Sequence, residues 1–189
     1  MTITLIRHCE VDENYIGCYN GHIDISLSKN GHKQAEELTK QFLNEQFNSV
    51  YCSDLKRARE TLNHFKNIPE PTFTDKLREK YWGKYEGKSF DEISEDGIVY
   101  ENFEQFIDAL GGETKEEFIH RVKHFFLEYL PKTNTKNLLI VTHSGVIKTL
   151  DSILNQTTLE EAFFKKLPYG SIVKYEVTNS KYKLIKSSI

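Results

Sequence analysis

Three short apolar runs, each followed by a helical pattern, restrict this chain to a small set of folds. The runs cover residues 3–6, 50–52 and 138–141, and each is short enough for a buried strand. Strands that alternate with helices form βαβ units and a largely parallel sheet covered on both faces. The sequence therefore predicts an α/β fold, a three-layer α/β/α sandwich with a mostly parallel central sheet. The apolar residues at helical spacing are Ala35, Leu38 and Phe42 after the first run, Leu55, Ala58, Leu62 and Phe65 after the second, and Val146, Leu150, Ile153 and Leu154 after the third.

Further elements are predicted between and after these units. Thr114 and Glu117 form a capping-box pattern that opens a helix, with Phe118, Val122, Phe125 and Tyr129 on one face. Residues 171–177 and 182–186 are predicted to pair as a closing hairpin around Asn179-Ser180. Residues 88–117 are rich in Asp and Glu, and a helical insertion of about 88–112 near the active site is expected, which could form a lid. With 189 residues, the chain is expected to be a single domain, 1–189.

Composition excludes several classes of partner. The net charge of -3 gives no general attraction to nucleic acid or a membrane surface, so neither is expected as a partner. No apolar stretch has the length of a membrane span or a signal peptide, which favours a cytoplasmic location. Cys9, Cys18 and Cys52 show no CxxC spacing and are interpreted as reduced thiols.

Polar residues follow all three predicted strands. Arg7 and His8 end the first strand, Arg57 lies in the helix after the second, and His143 and Ser144 follow the third. The carboxyl ends of parallel strands meet at one edge, where helix amino termini present unpaired N–H groups to anions. Two histidines and two arginines at one edge predict a phosphate site.

In their order along the chain, these residues are similar to the motifs of the histidine phosphatase superfamily, the phosphoglycerate mutase-like group. Residues 5–10, Leu-Ile-Arg-His-Cys-Glu, resemble its amino-terminal Arg-His-Gly motif, and residues 53–58, Ser-Asp-Leu-Lys-Arg-Ala, with Thr61 resemble its Ser-x-Leu-x-Arg-Ala-x-x-Thr motif. Residues 77–79, 82–83 and 86–87 resemble the acidic block, residues 112–114 the Gly-Glu-Ser turn, and residues 141–143 the second-histidine block. Asn14 and residues 20–28 match the segment after the first motif. The short length and the Gly-Glu-Thr turn look most like the alpha-ribazole phosphatases and broad-specificity small-molecule phosphatases.

The resemblance implies a phosphomonoester hydrolase of the metal-independent histidine acid type. His8 would form a phosphohistidine that water then hydrolyses, while Arg7, Arg57 and His143, if protonated, stabilise charge on the phosphoryl oxygens. Glu79 would act as general acid and then base, sheltered by Tyr81 and Trp82, with Glu10 and Glu86 as weaker candidates. The phosphate- and substrate-binding residues expected beside these are Asn14, Asn20, Gly21 and Ser144. No metal or cofactor is expected, and the partner would be a small phosphorylated metabolite, with alpha-ribazole 5'-phosphate as a candidate.

Two departures from the family pattern leave other interpretations open. Cys9 and Ser144 stand where the family usually has glycine, and both are expected to add a side chain near the phosphate. One hypothesis gives Cys9 a lowered thiol pKa and sensitivity to peroxide, and the other treats it as an inert small residue. The alternatives to a phosphatase are phosphoglycerate mutase-type transfer and a phosphate-binding regulatory module that has lost catalysis.

Other features also remain open. His120 and His124 have the spacing of metal ligands, but no third ligand is suggested, and they are interpreted as surface residues. Tyr100, Phe103 and Phe106 form an aromatic stripe that could cap the site, pack in a core or form a contact between the subunits of a homodimer.

Overall fold

A six-stranded sheet forms the centre of the protein, in a computed structural model that describes residues 1–187. The strands are β1 (Thr2–Arg7), β2 (Ser49–Ser53), β3 (Thr72–Thr74), β4 (Asn137–Thr142), β5 (Ile172–Thr178) and β6 (Lys181–Ser187). They lie in the order β3-β2-β4-β1-β5-β6. The first four run parallel, whereas β5 is antiparallel to β1 and β6 to β5. The predicted α/β class and mostly parallel sheet are confirmed, and the last two positions of the predicted 1–189 domain lie outside the described residues.

Helices cover both faces of this sheet. They are α1 (Lys29–Lys40), α2 (Lys56–Leu62), α3 (Phe90–Glu95), α4 (Phe103–Ala109), α5 (Lys115–Lys123), α6 (Ser144–Asn155) and α7 (Leu159–Phe164). A π-helical segment, His124–Tyr129, continues α5. None of the helices within residues 1–187 combines the length and apolar character needed to cross a bilayer.

The central strands are apolar on both faces, as a sheet covered by helices requires. Leu138 and Ile140 of β4 pack in one core with residues of α5 and α6. Leu139 and Val141 alternate with them and pack in a second core against α1 and α2. This alternation confirms the predicted three layers.

Local capping sets the helix boundaries. The capping box of Thr114 and Glu117 forms at the start of α5, as predicted. The Asp24 carboxylate accepts a hydrogen bond from Lys56 N at 2.7 Å and caps α2 from a distant loop. Tyr129 corrects one expectation, because it is 43% exposed and does not share the buried face of Phe118 and its neighbours. The irregular π-helical backbone explains this, since it breaks the 3.6-residue period.

The predicted insertion contains α3 and α4 and has a small core of its own. Ile93, Phe106 and Leu110 of the insertion are buried together with Trp82 and Tyr85, which precede it, while the acidic side chains of α3 face solvent. Trp82 connects this core to the carboxyl edge of the sheet, because it also lines the cavity found there.

The chain ends in the predicted β5–β6 hairpin. Asn179 and Ser180 occupy the turn with φ of 50° and 59°, the left-handed conformation that two-residue hairpin turns require.

Candidate active site

A cavity of about 490 Å³ lies at the carboxyl edge of the sheet. Arg7 ends β1 and His8 follows it, and the start of α6 contributes Ser144 and Gly145. The wall is completed by residues from loops, the insertion and α7: Ile16, Gly17, Cys18, Tyr19, Asn20, Glu79, Trp82, Phe90, Phe163 and Tyr169. The structure thus places residues from distant parts of the chain at one edge of the sheet.

His8 is held as a neutral imidazole with one free ring nitrogen. Its Nδ1 lies 2.8 Å from the Cys9 carbonyl oxygen, which can only accept, so Nδ1 carries the proton and Nε2 keeps its lone pair. Burial, and then the nearby charges of Arg57 and Arg7, hold the pKa of His8 well below 6.5. A neutral imidazole with a free Nε2 beside a cavity is the form a nucleophile requires.

His143 lies directly against His8, with ring centroids 5.1 Å apart. Its Nε2 is 2.8 Å from Ser53 Oγ, and its Nδ1 is buried without a hydrogen-bond partner in the described chain. Burial, followed by the charges of Arg57 and His8, holds the pKa of His143 well below 6.5. His143 is therefore neutral beside the two arginines, and a nearby negative charge would favour its protonation.

Arg57 is fully buried, and the main chain orients it. Its Nη1 donates to the Ile23 carbonyl at 2.9 Å, and its Nη2 donates to the carbonyls of Asn20 and Gly21 at 2.7 Å each. Burial lowers its pKa to about 10, so the guanidinium stays charged at neutral pH. Its Nε has no partner within residues 1–187, and its charge is felt at both histidines.

Arg7 borders the cavity and is fixed by two contacts. It donates to the Leu167 carbonyl and stacks on the Tyr169 ring, with its guanidinium carbon 4.0 Å from the ring centroid. Its Nε is also buried without a partner in the described part of the chain. Neither Arg7 nor Arg57 forms an ion pair with a carboxylate among residues 1–187, so their charge is available to an anion.

Glu79 lies at the amino terminus of α6. Its Oε2 accepts from Gly145 N at 2.8 Å, and its Oε1 accepts from Lys80 N at 3.0 Å. Only glycine permits this approach, because a Cβ at Gly145 would fall 2.0 Å from Glu79 Oε1. Trp82 lines the cavity with Glu79 as predicted, whereas Tyr81 does not and is 40% exposed.

An ion pair holds the segment that carries Glu79. Arg121 binds Glu113 in a two-pronged pair at 2.8 and 2.7 Å. The same guanidinium donates to the carbonyls of Lys76, Arg78 and Glu79. The Gly-Glu-Thr turn thus positions the Glu79 backbone through Arg121.

The two weaker acid candidates have other contacts. Glu86 accepts three main-chain N–H bonds, from His22, Ile23 and Trp82. Glu10 accepts from the side chains of Ser28 and Asn30. Both bind neighbouring loops, and neither lines the cavity.

Of the four predicted phosphate- and substrate-binding residues, two line the cavity and two do not. Ser144 and Asn20 line it, and Asn20 Oδ1 is buried without a partner in the described residues. Asn14 is exposed, and its amide nitrogen donates to Asp12 at 3.0 Å. Gly21 lies behind the wall, where its carbonyl binds Arg57 and a Cβ would meet Lys80 O at 2.2 Å. This close packing explains why residue 21 is glycine.

Cys9 differs from the expectation that it adds a side chain near the phosphate. Its side chain is fully buried in the core facing α1 and α2, and it does not line the cavity. Burial raises the pKa of its thiol to about 11. The proposed lowering of this pKa was therefore wrong, and the inert interpretation fits. Cys9 is absent from the described residues with positive φ, so its backbone has no need of glycine.

Arg59, His120 and His124 lie outside the site. Arg59 stacks on Phe73, with its guanidinium carbon 4.8 Å from the ring centroid. His120 and His124 are exposed and stack on each other with centroids 6.3 Å apart. Within residues 1–187, no group of three or more His, Cys, Asp or Glu side chains is arranged to hold a metal ion.

Tyr169 is a site residue that the strand-end pattern did not predict. It stacks on Arg7, lies 5.6 Å from the His8 ring and lines the cavity. It precedes Gly170, whose N–H binds the His8 carbonyl at 3.2 Å. The Pro-Tyr-Gly turn before β5 was the available signal, since such a turn returns the chain to the strand next to β1.

Known proteins share the sequence pattern and the fold of this chain. Residues 3–188 match the histidine phosphatase superfamily (branch 1). An adenosylcobalamin/alpha-ribazole phosphatase of Salmonella typhimurium is 31% identical over 157 residues, covering 79% of this chain and 77% of the relative. Phosphoserine phosphatase 1 of Hydrogenobacter thermophilus is 29% identical over 157 residues, covering 78% and 73%. The crystal structure of the alpha-ribazole phosphatase from Shigella flexneri superposes with a TM-score of 0.87 at 27% identity, covering 100% of this chain and 96% of that one.

Proposed function

Because this chain belongs to the histidine phosphatase superfamily and its relatives are named as phosphatases, we propose that it hydrolyses small phosphate monoesters through a phosphohistidine at His8. One observation carries the proposal. His8 is neutral, its Nδ1 proton is held by the Cys9 carbonyl, and its Nε2 is free beside the cavity.

The proposed reaction has two displacements. In the first, His8 Nε2 forms a bond to phosphorus, the bond from phosphorus to the ester oxygen breaks, and Glu79 gives a proton to the departing alcohol. In the second, Glu79 takes a proton from water, the water oxygen attacks phosphorus, and the bond to Nε2 breaks. Phosphate leaves, and neutral His8 and protonated Glu79 are restored.

Charge on the phosphoryl group is stabilised by the cationic groups around it. Arg7 and Arg57 supply guanidinium charge, and a bound dianion favours protonation of His143 by raising its pKa. This charge corresponds to what Mg²⁺ supplies in many kinases, so the proposed mechanism is metal-independent. Its natural setting is the cytoplasm, where free thiols such as Cys9, Cys18 and Cys52 stay reduced.

The apolar part of the cavity lining favours an uncharged leaving group. Ile16, Tyr19, Trp82 and Phe90 belong to it, and Arg7 supplies the cationic charge along the lining. Phosphoserine and phosphoglycerate carry a carboxylate that would be desolvated without a partner of its own. This supports a ring-bearing ester such as alpha-ribazole 5'-phosphate over a phosphoglycerate mutase substrate.

Phosphate release measured in EDTA tests the proposal. The substrates are alpha-ribazole 5'-phosphate, phosphoserine, and 3-phosphoglycerate with a 2,3-bisphosphate primer, each with the parent and His8→Ala. Release by the parent that is abolished in His8→Ala is expected. Isomerised phosphoglycerate in excess of free phosphate would instead show a mutase. No turnover of any ester, with phosphate still bound, would indicate a regulatory module.

A further inference from the structure

A second cavity, here called the aromatic chamber, adjoins the catalytic cavity. It has a volume of about 230 Å³. The residues that line it are all apolar or aromatic: Tyr19, Trp82, Phe103, Phe106, Ile107, Phe163 and Phe164. They come from the loops after β1 and β3, from α4 and from α7.

The two cavities share walls. Tyr19, Trp82 and Phe163 line both. Tyr19 packs edge-on against Trp82 with centroids 5.1 Å apart, and Phe103 lies 5.4 Å from Phe163. The two cavities are therefore neighbours, and a leaving group that extends past these three side chains would reach the aromatic chamber.

We infer that the aromatic chamber binds an uncharged, ring-bearing part of the alcohol leaving group, an inference that rests on the proposed phosphatase function. Apolar pockets with a few polar groups at one end are the usual form of small-molecule sites. An apolar cavity of about 150 Å³ can hold a benzene molecule, so the chamber has room for one ring or two fused rings.

The chamber's rim also indicates a ligand. Phe164, at the end of α7, is 77% exposed, although large aromatic side chains are usually buried. A ring in the chamber would cover part of Phe164 and remove this apolar surface from water.

Within residues 1–187, the chamber offers an acidic leaving group no hydrogen-bonding partner. Two lysines lie against its walls from outside: Lys80 Nζ is 4.5 Å from the centroid of the Trp82 ring, and Lys148 Nζ is 5.6 Å from that of the Phe163 ring. Both Nζ atoms bind main-chain carbonyls, and neither lysine lines either cavity. A carboxylate in the chamber would thus lose water without gaining a hydrogen bond, whereas a neutral ring has no such cost.

A series of esters whose alcohols have similar basicity isolates the ring. Ethyl phosphate, 2-phenylethyl phosphate and 2-(1-naphthyl)ethyl phosphate differ in apolar area and little in leaving-group chemistry. Burial of the ring should raise kcat/KM by about 30-fold from the first ester to the last. Equal kcat/KM across the series would overturn the inference.

Phe164→Ala tests whether the preference for a ring depends on the rim of the chamber. It should lower the naphthyl-to-ethyl ratio of kcat/KM by about fivefold and leave the value for ethyl phosphate unchanged. Leu43→Ala is the matched control, because Leu43 is also 77% exposed but lies just beyond α1, away from both cavities. The same loss of selectivity in both variants would contradict a role for the chamber.

Direct binding separates failure of this inference from failure of the proposed function. Trp82 is the chain's single tryptophan and lines both cavities, so 2-(4-nitrophenyl)ethanol should quench its fluorescence, more weakly in Phe164→Ala. Quenching without release of phosphate from any ester would refute the phosphatase proposal and support ring binding. Phosphate release without ring preference or quenching would refute the chamber's role alone.

Discussion

Replacing Gly145 with alanine would put a methyl group where the Glu79 carboxylate lies. An ideal Cβ on Gly145 falls 2.0 Å from Glu79 Oε1 and 2.8 Å from its Cδ. The carboxylate must therefore move, and its 2.8 Å bond from Gly145 N is lost. The α6 backbone tolerates alanine, since Gly145 is absent from the described positive-φ positions.

The expected change in stability is small because two effects oppose each other. Alanine in place of glycine favours a helix by up to about 1 kcal/mol. Loss of the hydrogen bond to the partly buried Glu79 carboxyl group costs about 1 kcal/mol. The free energy of unfolding should change by less than about 1 kcal/mol, whereas displacing a general acid should lower kcat/KM by about 100-fold.

Two substrates measured with Gly145→Ala test the role of Glu79 as well as its position. For ethyl phosphate the full loss in kcat/KM is expected, because the departing alkoxide needs a proton. For para-nitrophenyl phosphate, whose leaving group is a stable anion, the loss should stay below about tenfold. Urea unfolding of the same samples gives the stability. Equal losses on both substrates, or a drop in unfolding free energy above about 2 kcal/mol, would refute the reasoning.

A double-mutant cycle is the control for damage by another route. In a Glu79→Ala background the new methyl has no carboxylate to displace, so adding Gly145→Ala should cost no further activity. A second large loss there would show that the methyl disturbs the site independently of Glu79.

Three further outcomes follow from the site. Buried His8 has a lowered pKa and resists protonation, whereas in the unfolded chain it binds a proton below about pH 6.5, so the free energy of unfolding should fall as the pH is lowered below that value. His8→Gln should reduce this fall by up to about 1.4 kcal/mol per pH unit, measured by urea unfolding at each pH. Arg121→Lys loses the two-pronged bond to Glu113 and should lower the free energy of unfolding by about 2 kcal/mol and also lower kcat/KM. Adding Glu113→Gln to this variant should cause little further loss of either quantity. Cys9, whose thiol pKa is raised to about 11, should stay unreactive, so the parent and Cys9→Ala should lose activity in peroxide at equal rates. Faster inactivation of the parent than of Cys9→Ala would support the hypothesis that Cys9 is sensitive to peroxide.

The sequence predicted those parts of the fold in which burial on both faces requires a run of apolar residues. The bounds of β1, β2 and β4 each lie one residue outside the predicted runs, because the middle of each strand is mostly buried and mostly apolar. β3 was not predicted, since its three residues are mostly exposed and it is defined by pairing with β2. Phe42 and Phe65 lie beyond the ends of their helices and stack on each other at 5.4 Å, a tertiary contact that helical spacing cannot distinguish from continued helix.

The sequence predicted the site residues that follow parallel strands, but it could not predict side-chain orientations that main-chain carbonyls determine. Position in the chain placed Arg57 near His8, but the sequence could not show that loop carbonyls from Asn20, Gly21 and Ile23 hold its guanidinium. Every residue has a carbonyl, so no sequence pattern marks those that serve as acceptors. The glycine required beside Glu79 likewise proved to be Gly145, one position after the Ser144 that departs from the family motif.

The site concentrates positive charge and buried nitrogen atoms around His8. Arg7 Nε, Arg57 Nε and His143 Nδ1 are buried without partners in the described chain, a costly arrangement in a folded protein. Both arginines also lower the pKa of each histidine, which keeps His8 neutral. Under the proposed function, a phosphoryl dianion at His8 would offset the two arginine charges and favour protonation of His143. The charges that keep His8 neutral would then also stabilise the phosphoryl group during transfer, because main-chain carbonyls already hold both guanidinium groups in place.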